Sequence, residues 1–67
     1  MKVGEYISKV LKSQGRQKTW LAEQLNISKE GLNYKIKADA FKANELIKIS
    51  ELLNIDLNKM REEINND

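Results

Sequence analysis

Apolar residues recur every three or four positions along most of the chain. Val3, Ile7, Val10 and Leu11 make the first stripe, and Gly15 follows it. That spacing predicts a helix over about 4–14, with the glycine in the left-handed position that ends helices. Leu21, Ala22 and Leu25 make a second stripe and predict a helix over about 18–25. Asn26 comes next; asparagine tolerates left-handed backbone better than other non-glycine residues, so it is expected to close this helix and turn the chain. Ser28 then reads as the N-cap of a third helix over about 29–37, whose inner face is Leu32 and Ile36. The segment 38–43, "ADAFKA", is expected to be the longest connection, anchored to the core by Phe41. Leu46, Ile49 and Leu53 predict a fourth helix over about 44–53. Asp56 caps a fifth over about 57–64, with Leu57, Met60 and Ile64 as its stripe.

The chain contains no proline, and its glycines stand only at positions 4, 15 and 31. Strand-like alternation is scarce. The expected fold class is therefore all-α, a bundle of five short helices over 1–64, with 65–67 as a frayed tail. No internal repeat, linker or low-complexity run stands out.

Composition narrows the chemistry. At 67 residues and 40% hydrophobic, the chain holds material for one domain and one modest core. A domain of this size buries only about 60% of its unfolded surface, so marginal stability is expected. Cysteine and histidine are both absent. That excludes disulfides, Cys/His zinc sites and nucleophile dyads built on either residue. There is no glycine-rich phosphate loop, and the adjacent Glu62 and Glu63 do not share one helical face. No enzymatic activity, cofactor or metal is expected. No apolar run approaches the roughly 18 residues of a membrane span. The first fifteen residues carry Lys2, Glu5, Lys9 and Lys12 and lack the apolar core of a signal peptide. The expected location is cytoplasmic, with no membrane partner.

The net charge of +2 hides an asymmetry. Residues 1–42 hold nine Lys/Arg against four Asp/Glu, whereas 43–67 hold three against six. Such a split suits a protein that turns one end toward a polyanion, although small domains also divide their charge by chance.

The break at Asn26-Ile27-Ser28 separates two short helices, as in a helix-turn-helix. Ala22 and Gly31 are the small residues expected where the two helices approach, and Ile27 plugs the corner. With Leu32 and Ile36 facing inward, the outer face of the third helix offers Lys29, Glu30, Asn33 and Tyr34, with Lys35 and Lys37 at its end. These side chains can bond phosphates or base edges.

The stretches "WLAEQLNIS", "KEGLNYKI" and "ELIKISELLNIDLNKM" resemble the lambda-repressor-like helix-turn-helix family of phage repressors, Cro proteins and small bacterial regulators. The resemblance covers roughly residues 5–60. It implies sequence-specific binding to double-stranded DNA, usually by a symmetric homodimer on a pseudo-palindromic operator, with the third helix in the major groove. Carried onto this sequence, Lys29, Glu30, Asn33 and Tyr34 fall at base-facing positions, and Lys37 at a phosphate contact. Lys18 stands where the family often has a glutamine. Arg16, Lys18, Lys35 and Lys37 together form the expected phosphate-contacting set. The chain departs from the family pattern at several points. Arg16 and Gln17 replace an apolar residue and a Ser/Thr cap, Asn26 replaces a common glycine, and Lys35 replaces a common apolar residue.

Some roles stay open. Glu30 fits a contact to a cytosine amino group or a favourable charge near a helix N-terminus. Tyr34 fits the DNA backbone, a thymine methyl or the edge of the core. Trp20 is expected to pack on the first helix or near the DNA boundary. Ile47 and Leu52 lie off the main stripe of the fourth helix, and the small core cannot absorb every apolar residue. Leu57, Met60 and Ile64 are therefore the expected dimer surface. The competing reading is a helical protein–protein interaction module, such as an antitoxin or anti-repressor, with little direct DNA contact.

Overall fold

The computed structural model describes residues 1–65. Among these, the chain forms five α-helices and no strand: α1 (Val3–Ser13), α2 (Lys18–Gln24), α3 (Lys29–Ala38), α4 (Ala43–Leu53) and α5 (Leu57–Asn65). The helix starts at 18, 29 and 57 coincide with those expected, the last two from the caps Ser28 and Asp56. Residues 66 and 67 of the expected frayed tail lie outside the described residues, and Asn65 belongs to α5. Among the described residues, no helix is long and apolar enough to cross a membrane.

Four helices end in the same way. Gly15, Asn26, Asp39 and Asn54 have left-handed backbone, with φ of 68°, 58°, 54° and 56°. After each, the next N–H reaches back five residues: Arg16 to Leu11 O, Ile27 to Ala22 O, Ala40 to Lys35 O and Ile55 to Ser50 O, all at 2.8–3.0 Å. This bond satisfies a carbonyl that the helix leaves without a partner at its end. Gly15 and Asn26 were legible as stops. Asp39 and Asn54 were not singled out.

A four-residue device also recurs, although the sequence shows no long repeat. "LNIS" at 25–28 and "LNID" at 53–56 each stop one helix and start the next. The asparagine takes the left-handed position. The isoleucine, Ile27 or Ile55, packs against the core. The fourth residue caps the following helix: Ser28 Oγ accepts from Gly31 N at 3.0 Å, and Asp56 Oδ1 accepts from Asn58 N at 2.9 Å.

The core is one cluster of Ile7, Leu11, Leu21, Ala22, Leu32, Ile49 and Leu53. Each buried Leu or Ile of this kind contributes about 1.5–3 kcal/mol. Phe41, Ile36, Leu25 and Trp20 pack around it. The connection bearing Phe41 is shorter than expected, because Ala38 extends α3 and Ala43 begins α4. It is no longer than the connections before α2 and α3. Alanine favours helix and offers nothing to a loop, which accounts for both extensions.

Two expectations about packing are corrected. Gly31 does not make room for α2, because a Cβ there would meet only Ser28 Oγ, at 3.2 Å. The close approach is at Gly4, where a Cβ would lie 2.9 Å from the Ile36 Cα and nearer still to its carbonyl oxygen. The tight crossing is therefore between α1 and α3. The second correction concerns α5. Met60 is only 7% exposed, because α5 packs against α1 and turns the middle of its stripe inward. Ile64 is half-buried, while Leu57 remains 41% exposed and Ile47 51%.

Candidate nucleic-acid interface

The outward face of α3 is positioned from three directions. Ser28 fixes its start through the bond to Gly31 N. Leu32 sits fully in the core, and α3 packs on both α2 and α1. At the far end, Asp39 closes α3 in left-handed backbone and its Oδ1 accepts from Gly4 N at 3.2 Å. That carboxylate thereby caps α1, whose own N-cap, Lys2, makes no side-chain cap.

On this fixed helix, Lys29, Glu30 and Tyr34 are exposed and Asn33 is half-buried. Tyr34 is 67% exposed, which leaves its ring outside the core and removes the core-edge role considered above. Among the described residues, none of these four side chains has a hydrogen-bond or ion-pair partner. Lys18, at the start of α2, and Lys37, near the end of α3, are also exposed.

Lys35 is placed differently. Its Nζ lies 3.1 Å from both carboxylate oxygens of Glu45, and both side chains are mostly covered. Glu45 Oε1 also accepts from Lys42 N at 2.8 Å. The Glu45 carboxyl is held below its ordinary range chiefly by that backbone bond, with burial opposing and Lys35 assisting. Lys35 therefore braces α3 against the first turn of α4. A phosphate would have to compete with Glu45 for it, so it stands apart from Lys18 and Lys37 in the expected phosphate set.

Arg16 stands just before α2, with its guanidinium carbon 4.2 Å from the centre of the Trp20 ring. Its Nε donates to Gln14 Oε1 at 3.3 Å, and Gln14 Nε2 donates to Leu53 O at 2.7 Å. Trp20 itself is half-buried against the core.

Reading the sequence alone missed Gln14, Asp39 and Glu45. Glu45 carried a signal, since a glutamate three residues after a helix-preceding residue often accepts that residue's N–H. Arg16 lies outside α2, so the helical four-residue spacing gives no signal for its contact with Trp20. Asp39 and Gln14 act across the fold, on Gly4 and Leu53, and no local pattern announces them.

No family model matches the chain, and no curated protein or solved structure matches it either.

Proposed function

We propose that the chain is a cytoplasmic, sequence-specific regulator of transcription that binds double-stranded DNA through a helix-turn-helix formed by α2 and α3. The observation that carries this reading is the outer face of α3. A 67% exposed tyrosine stands beside Asn33, Lys29 and Glu30, none of them engaged within the described chain, on a helix whose other face is sealed by Leu32. An α-helix fits the major groove, and asparagine and lysine donate to base edges there. Lys18 and Lys37 supply phosphate contacts. A second copy on the same operator would place the two half-sites about 34–36 Å apart. With Met60 in the interior, self-association falls to exposed residues such as Leu57.

A second reading, a helical interaction module of antitoxin or anti-repressor type, is favoured by the exposed Ile47 and Leu57. Salt separates the two. Each phosphate neutralised steepens the log–log salt dependence of duplex binding by about 0.9. Lys18→Ala and Lys37→Ala should weaken specific and non-specific duplexes by similar factors and flatten that slope. Duplex affinity that stays constant from low to moderate salt would favour the interaction module.

A further inference from the structure

We infer that Gln14 and Trp20 are positioning residues that hold the Arg16 guanidinium as a preset fork for one backbone phosphate of DNA. The inference rests on the DNA-binding reading and names a part of the machinery that the outer face of α3 does not supply.

A free arginine side chain samples many rotamers, and immobilising one on binding costs about 0.5–1.5 kcal/mol. Arg16 is exposed, yet two contacts already restrain its side chain. Its guanidinium lies 4.2 Å above the Trp20 ring, a distance within cation–π range. Its Nε donates to Gln14 Oε1. Gln14 is itself fixed, because its Nε2 donates to Leu53 O over a short 2.7 Å bond. A relay therefore runs from the end of α4 through Gln14 to the guanidinium, and Trp20, half-buried against the core, is a firm platform beneath it.

The relay uses Nε and one face of the guanidinium. Among the described residues, the terminal Nη groups have no partner. Two Nη donors in a rigid plane match the oxygens of a phosphate, which a lysine ammonium cannot reproduce. If stacking on Trp20 were all that mattered, the bond from Nε to Gln14 would be dispensable. If only charge mattered, lysine would serve as well as arginine. The arrangement gains from both contacts only when the orientation of the fork matters.

The test separates charge from orientation. Duplex affinity and its salt slope are measured for the wild type, Arg16→Lys, Arg16→Ala and Gln14→Ala, with Lys9→Ala as an exposed control on α1. Thermal melts set a temperature at which all five are folded. Arg16→Lys keeps the charge and does not touch the bond between Gln14 and Leu53, so its folding is not at issue. Arg16→Lys and Gln14→Ala should each lose affinity about two- to tenfold, the equivalent of one unfixed side chain, with an unchanged slope. Arg16→Ala should lose more and flatten the slope by about 0.9. Lys9→Ala should bind as the wild type does. A purely structural Gln14 would lower the melting temperature and leave the affinity of the folded protein untouched, which would overturn its assignment. A wild type that binds duplex while Arg16→Lys and Gln14→Ala bind equally well would overturn the preset fork and leave the DNA reading standing. A wild type with no duplex binding would remove both.

Discussion

The backbone of Gly4 lies directly against the backbone of Ile36, so close that an added methyl group would come within 2.9 Å of the Ile36 Cα. The contact is backbone to backbone and cannot be relieved by rotating a side chain. Gly4→Ala should therefore push α1 from α3 and destabilise the fold by about 1–3 kcal/mol. This would reverse the usual gain of up to about 1 kcal/mol for alanine over glycine inside a helix. Gly31→Ala meets only the rotatable Ser28 hydroxyl, so its effect should stay below about 1 kcal/mol in either direction. Urea denaturation of the two variants checks the ranking. Equal effects would mean that the α1–α3 crossing is not tight.

The same comparison shows how much of the fold was legible in the sequence. Helix starts were readable because Ser28 and Asp56 act on N–H groups two or three residues away. The stops at Gly15 and Asn26 were readable for the same reason, since backbone geometry there depends on one residue type. Gly4 and Gly31 look alike in sequence, and only the crossing of two helices distant along the chain decides which one is confined. Met60 was misassigned for a related reason: a stripe says that a face is apolar, not whether α1 or another molecule covers it. The outer face of α3 was legible by subtraction once Leu32 and Ile36 were assigned inward. Lys35 was not, because its partner Glu45 sits on another helix.

The repeated "LNIS" and "LNID" device makes a second expectation concrete. Asn54 holds φ of 56°, where alanine would be strained by about 1–2 kcal/mol and glycine would not. Asn54→Ala should lower stability by about 1 kcal/mol, while Asn54→Gly should be neutral or better. Thermal denaturation followed by circular dichroism reports both. Identical melting of the alanine and glycine variants would contradict the role given to the left-handed turn.

Acid should release the brace between α3 and α4. The Glu45 carboxyl titrates below its ordinary 4.5 in the folded chain, first because it accepts the Lys42 N–H. Such a group contributes stability that is fully present above the unfolded value and is lost as pH falls through the folded one. Glu45→Gln has no carboxyl to protonate. The stability advantage of the wild type over Glu45→Gln should be constant near neutrality and shrink on acidification below about 4.5. An advantage that grew in acid would refute the assignment.

The most direct measurement of the central claim is selection of bound sequences from random duplex DNA by the wild type and by Asn33→Ala. Asn33 can donate to and accept from adenine at once, a pairing that discriminates by about 1–3 kcal/mol. The wild type should enrich a pseudo-palindromic motif. Asn33→Ala, melting normally because Leu32 and the core are untouched, should enrich the same motif with preference relaxed at one position per half-site. Failure of the wild type to enrich any motif would contradict sequence-specific DNA binding. An unchanged motif from a normally folded Asn33→Ala protein would contradict base readout through this face of α3.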